Sequence, residues 1–260
     1  MTMDRFKGKT AIVTGAATGI GYAIAEQLVS EGAKVIINDL DEGRLRKAEQ
    51  TINSIGFGRC FSFAGDVSDV DCIGSLVAFA IEQTGKLDLT VANAGLTHFG
   101  GFLECTPEEY RKVTDLNLQG SFFLVQESAR QMQCQKQGGR ILVMSSVAGI
   151  QACPQLTLYA MTKAALRMMV RSLVVELGPL GIGINAIAPG ATVTNRTLEE
   201  EPDYEGTWST LTPNKRPASV RDIAEAGAFL LSEAAAQING QTLVVDGGWT
   251  NVSPYPGLPT

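Results

Sequence analysis

Short runs rich in β-branched and aromatic residues alternate along the chain with longer stretches that carry apolar residues at helical spacing. The strand-like runs are 9–15 (KTAIVTG), 33–39 (AKVIIND), 59–67, 87–95, 139–146, 181–190 and 240–248. Between them lie helical patterns at 19–32, 41–56, 69–84, 157–178 and 219–232. A further helix starts at Thr106, with Pro107 at its first position and Glu108 and Glu109 in its first turn, and runs to about Lys136 with a break near Asn117. Strands separated by single helices predict an α/β fold, a doubly wound seven-stranded parallel sheet with helices on both faces. No linker, repeat or low-complexity segment divides residues 1–260, so one domain is expected. The one long irregular stretch, 191–218, has the length of a functional lid. The tail 249–260 carries three prolines and is expected to dock or fray.

Composition narrows the class. The chain is 45% hydrophobic and 18% charged, with a formal net charge of −6, and its largest charge cluster is the acidic run 198–206. Nucleic acid is therefore not an expected partner, because phosphate binding needs concentrated positive charge. No segment holds the roughly 20 apolar residues of a membrane span, and glycine, threonine and charges interrupt the start before a secretory apolar region forms. The five cysteines (60, 72, 105, 134 and 153) are odd in number with no CxxC pair, which predicts reduced thiols and a cytoplasmic protein. A single histidine, His98, argues against a zinc site and against Ser-His or Cys-His chemistry.

The stretch TGAATGIG places Gly15, Gly19 and Gly21 where the first strand becomes the first helix. Such a turn aims free helix amides above the sheet and makes a site for a pyrophosphate. The second strand ends in Asp39, eighteen residues past Gly21, where an acid binds ribose hydroxyls and repels a 2′-phosphate. Thr18 and Leu40 supply no compensating base, so NAD is expected over NADP. Asp41 is the better placed cap for the following helix, leaving Asp39 free.

In LYAMTKAAL, Tyr159 and Lys163 lie four apart and share one helix face. A nearby lysine cation favours the phenolate and lowers the tyrosine pKa toward working pH, which suits proton transfer at an alcohol or carbonyl. With the glycine turn, this pair resembles the short-chain dehydrogenase/reductase family in its single-domain form, over residues 6–248. TGAATGIG resembles the TGxxxGxG turn, ANAG (92–95) the NNAG motif with Ala92 in place of its first asparagine, YAMTK the YxxxK motif and PGATVT (189–194) the PGxxxT stretch. The family's activity implies reversible oxidation of an alcohol by a nicotinamide cofactor on a Rossmann-type fold.

The resemblance implies roles residue by residue. Tyr159 is the general acid/base, Lys163 lowers its pKa and binds the nicotinamide ribose, Ser146 holds the substrate oxygen, and Asn117 positions a relay water. Ser146, thirteen residues before Tyr159, is preferred on spacing to its neighbour Ser145. Cofactor contacts are implied for Gly15, Thr18, Gly19, Ile20, Gly21, Asp39, Leu40, Asp66, Val67, Asn93, Ala94, Gly95, Pro189, Gly190, Thr192 and Thr194. The substrate pocket is expected from Thr97, His98, Phe99, Ser146, Gln151–Thr157 with Cys153, and the lid with Trp208. His98 and Cys153 are read as wall residues. Substrates from sugars and polyols to 3-oxoacyl thioesters stay open, as does a catalytically silent NAD-binding sensor. Helix 157–178, apolar on most of its circumference, is expected to meet the sheet on one side and a second subunit of a homotetramer on the other, with the tail reaching the neighbour's lid.

Overall fold

The computed structural model describes residues 4–54 and 58–252. Seven strands form one sheet: β1 (Thr10–Thr14), β2 (Lys34–Asp39), β3 (Arg59–Ala64), β4 (Leu89–Ala92), β5 (Gly139–Met144), β6 (Ile182–Pro189) and, last in the chain, Thr242–Val245. Two short strands, β7 (Thr192–Val193) and β8 (Ala218–Ser219), pair outside it, so the last sheet strand is β9. The sheet order is β3-β2-β1-β4-β5-β6-β9, with every pairing parallel. Strand order reverses between β1 and β4, and the crevice above their C-terminal ends is where such sheets bind ligands.

The helices are α1 (Gly19–Ser30), α2 (Glu42–Asn53), α3 (Val70–Thr84), α4 (Pro107–Thr114), α5 (Ser121–Gln135), α6 (Thr157–Leu177), α7 (Asn195–Glu200), α8 (Tyr204–Leu211) and α9 (Val220–Leu231). The two-residue side-chain period of the strands sorts the core into two layers. Ala11 and Val13 of β1 and Val35 and Ile37 of β2 pack with Ile24, Leu28, Leu45 and Ile223 of α1, α2 and α9. Ile12 and Ile36 point the other way, into a layer with Ile73, Leu76, Leu124, Leu166 and Val170 of α3, α5 and α6. The doubly wound parallel sheet is thus the fold that the alternating pattern predicts.

Two local outcomes differ from the sequence reading. The break near Asn117 is a π-helical turn, Asp115–Gly120, that joins α4 to α5 without ending the helix. The stretch 191–218 is not irregular: it holds α7, α8 and the β7–β8 ladder, with Thr194 and Thr197 forming a capping box for α7. Part of the tail also docks, since Trp249–Asn251 forms a 3₁₀ turn. Residues 253–260, and the end of the predicted helix 41–56 at 55–56, lie outside the described residues. Thr106 caps α4 as predicted, with Pro107 at the first position and a reciprocal bond between Thr106 and Glu109.

Candidate active site

A cleft of about 470 Å³ opens above the C-terminal strand ends. At its floor a knot of hydrogen bonds ties β1 to the chain after β4. The Thr14 hydroxyl accepts from Asn93 N at 3.2 Å and Ala94 N at 3.1 Å. The Asn93 amide donates to Thr14 O at 2.8 Å and Gly15 O at 3.0 Å. Gly15 and Gly19 hold left-handed backbone, at φ +61° and +63°. Gly21 does not line the cleft; a Cβ there would sit 2.3 Å from Gly15 O, so this position packs α1 onto the turn.

The α1 N-terminus is left without a side-chain cap and without acids in its first turn, whereas Asp41, Asp69 and Ser219 cap α2, α3 and α9. Its first amides therefore face the cleft unsatisfied by side chains, an arrangement that fits a dinucleotide pyrophosphate. At the β2 end, the Asp39 carboxylate is pinned over the glycine turn. It accepts from Ala17 N at 3.0 Å and from Leu40 N at 2.8 Å. Among the described residues lining the cleft the cations are Lys163 and Arg196, and Arg196 sits at the other end, donating to the Thr97 hydroxyl at 3.3 Å.

Of the anticipated cofactor residues, Gly15, Thr18, Gly19, Ile20, Asp39, Leu40, Asp66, Val67, Asn93, Ala94, Gly95, Pro189, Gly190, Thr192 and Thr194 all line the cleft. Thr97, Ser146, Tyr159 and Lys163 line it too. The two serines after β5 both reach the cleft lining but differ in burial and partners. Ser145 is buried and donates to Lys163 O at 2.8 Å, while the half-buried Ser146 hydroxyl lies beside the Tyr159 phenol.

Tyr159 and Lys163 depart from the simple pairing. Burial raises the Tyr159 pKa, and the groups that oppose it are the hydroxyls of Ser146 and Thr97 and the charge of Arg196. Lys163 does not hold the phenol down here: its Nζ lies 5.5 Å from the ring centroid, over the face, and donates to Met144 O at 2.8 Å. Although it lines the cleft, Lys163 is only 3% exposed, and burial pushes its pKa down to about 8.

Asn117 is fully buried outside the cleft. Its side chain accepts from Leu96 N at 2.8 Å and donates to Leu96 O at 3.0 Å and to the Thr162 hydroxyl at 3.1 Å. It braces the loop after β4 against the π turn and α6. His98, Cys153 and Trp208, expected in the substrate wall, do not line the cleft. His98 turns toward Cys105 and Glu109, and Cys153 Sγ contacts Gln151 O at 3.6 Å. Trp208 packs on Tyr204 and Trp249. The 191–218 segment instead presents Asn195, Arg196, Thr197 and Tyr204, which sequence reasoning missed. The Tyr204 hydroxyl accepts from Thr192 N at 3.2 Å, tying α8 to β7. The PGxxxT stretch ends at Thr194, so its immediate continuation into 195–197 was the available signal.

The family profile described as enoyl-(acyl carrier protein) reductase matches residues 15–250. An L-rhamnose 1-dehydrogenase (NAD(P)(+)) of Azotobacter vinelandii is 38% identical over 92% of this chain and 96% of its own length. A glucose 1-dehydrogenase of Gluconobacter oxydans is 37% identical over 95% of this chain and 94% of its own. The crystal structure of a short-chain type dehydrogenase/reductase from Mycobacterium marinum superposes with a TM-score of 0.90 at 29% identity, covering 95% of this chain and 98% of that one.

Proposed function

The chain belongs to the short-chain dehydrogenase/reductase family and is an oxidoreductase acting on CH–OH groups, and from that premise we propose that it oxidises a sugar with NAD. The observation that carries the cofactor half is the Asp39 carboxylate fixed at the end of β2, with no cation beside it among the described cleft residues. A 2′-phosphate would meet uncompensated negative charge there. The sugar half rests on the hydroxyl-rich wall of Thr97, Ser146, Asn195 and Thr197, together with the sugar named in each of the two relatives. We read 191–218 as the lid over this wall, within one domain, and the protein as cytoplasmic. Among the described residues no helix is long and apolar enough to cross a membrane.

Bound in the cleft, the dinucleotide supplies the hydride acceptor, and the rest of the chemistry falls to the side chains. Ser146 holds the substrate hydroxyl against Tyr159. The phenolate form of Tyr159 takes the hydroxyl proton. Arg196, through Thr97, and Ser146 favour that phenolate against the burial that opposes it. Lys163 donates to the Met144 carbonyl and lies over the tyrosine ring, and its ammonium, on the cleft lining, would hold a ribose hydroxyl of the dinucleotide. Asn117 keeps the loop carrying Thr97 in place.

The test is a screen of aldoses, polyols and secondary alcohols with NAD and with NADP. Oxidation of an aldose with kcat/KM at least about tenfold higher for NAD is expected. Turnover confined to 3-oxoacyl thioesters or fused-ring ketones would remove the sugar reading, and equal use of NADP would remove the role given to Asp39. Exposed Met161, Met168 and Val175 recur every seven residues along α6, and this apolar strip supports the homotetramer. Light scattering after size exclusion should give four chains per particle; a monodisperse monomer at micromolar concentration would count against it.

A further inference from the structure

We propose that His98, Cys105 and Glu109 form a binding site for a divalent cation of borderline softness, Zn²⁺ by its chemistry, on the rim of the cleft. The spacing of these residues gave no hint of it, since a single histidine argued against zinc. The fold brings them together. One ligand atom from each lies within 4.8 Å of the other two, and all three side chains are half-buried. An imidazole nitrogen, a thiolate and a carboxylate oxygen are the donors that zinc combines, and three protein ligands leave a fourth position for water. With bonds of roughly 2.0–2.3 Å around a tetrahedral ion, the donors must close by roughly an ångström, a movement within reach of side-chain rotation.

Local structure prepares each donor. Glu109 sits in the α4 capping box, where its Oε2 accepts from Thr106 N at 2.8 Å and the Thr106 hydroxyl at 2.9 Å. That fixes the carboxylate and leaves Oε1 with no partner among the described residues. The Cys105 thiol has only a long contact, 3.8 Å, to Thr106 O. The His98 ring lies over Gly100, where a Cβ would come within 2.8 Å of Nε2. Any side chain at position 100 would push the imidazole away. On binding, the thiol proton passes to solvent and the metal–sulfur bond replaces it, so affinity rises with pH.

The site is mechanically joined to the chemistry. His98 follows Thr97, whose hydroxyl lies beside Tyr159. Gly100 N donates to Gln155 O at 2.9 Å, four residues ahead of that tyrosine.

Co²⁺ added to the chelator-treated protein is the probe, because a thiolate-to-cobalt charge-transfer band reports sulfur ligation independently of turnover. One Co²⁺ per chain, displaced by Zn²⁺, is expected. The band should vanish in Cys105→Ser, and affinity should fall about tenfold or more in His98→Asn and in Glu109→Gln, which keeps the cap. No band at millimolar Co²⁺, a band that survives Cys105→Ser, or an affinity unmoved by His98→Asn overturns the site. Because the readout is binding, it stands or falls apart from the sugar reading.

Discussion

Tyr159→Phe is expected to lower kcat/KM for alcohol oxidation by about 10²- to 10⁴-fold, the range for removing a positioned acid/base. The ring and its packing stay, so cofactor affinity, followed by NADH fluorescence, should hold within a few-fold. The same tyrosine fixes the sign of the pH dependence. Oxidation needs the phenolate, and burial holds the proton on, so the oxidative rate should climb as pH rises and the reductive rate should fall. Full activity in the phenylalanine variant would remove Tyr159 from the mechanism. Loss of both turnover and NADH binding would instead point to a damaged cleft, which circular dichroism would register.

Lys163→Met should do two things of opposite sign. Turnover should fall by about a hundredfold or more, since the ammonium proposed to hold the ribose in place beside the tyrosine is gone. Stability of the cofactor-free protein at pH 7 should rise. Burial carries the Lys163 pKa from 10.5 down to about 8. That difference corresponds to roughly 3 kcal/mol of destabilisation while the lysine is charged in both folded and unfolded chains. Leaving Met144 O without its 2.8 Å donor returns about 1–2 kcal/mol of that, so a net gain of about 1–2 kcal/mol is expected. Between pH 8 and 10.5 the folded chain has shed the proton that the unfolded chain still binds, so wild-type stability rises with pH through this window. The variant's advantage should therefore be largest at pH 7 and gone by about pH 10.5. Urea denaturation at three pH values checks this. A variant less stable than wild type at pH 7 would show that the lysine's hydrogen bond outweighs its burial.

This lysine marks where sequence reading stops. The four-residue spacing placed it beside Tyr159 correctly, because helical period fixes a face. The spacing said nothing about depth, and depth lowered the pKa: Lys163 is almost fully buried, with its ammonium bound to Met144 O. The sheet itself was readable because its period is strict. Ile12 and Ile36 go to one layer while Ala11, Val13, Val35 and Ile37 go to the other. The glycine turn was readable because few residues tolerate φ near +60°. Loops offer no such period. Thr97 faces the cleft and its neighbour His98 turns away, a difference carried by local backbone and by the space over Gly100. Helices α7 and α8 escaped notice because six and eight residues are too few for an apolar period to repeat. Asn117, expected to position a relay water, spends its side chain on Leu96 and Thr162 and lies outside the cleft lining, which its place in the sequence could not show.

The chain has two tryptophans, and they touch: Trp208 of α8 and Trp249 after β9 stand edge to face, with ring centroids 5.4 Å apart. Tyr204, on the cleft wall, stacks at 5.9 Å from Trp208. All indole emission from this protein therefore arises at a single place, where α8 meets the turn after β9. Selective excitation of indole turns that contact into a built-in optical gauge. A shift in its colour or intensity registers a change at that one contact and is not averaged over distant reporters.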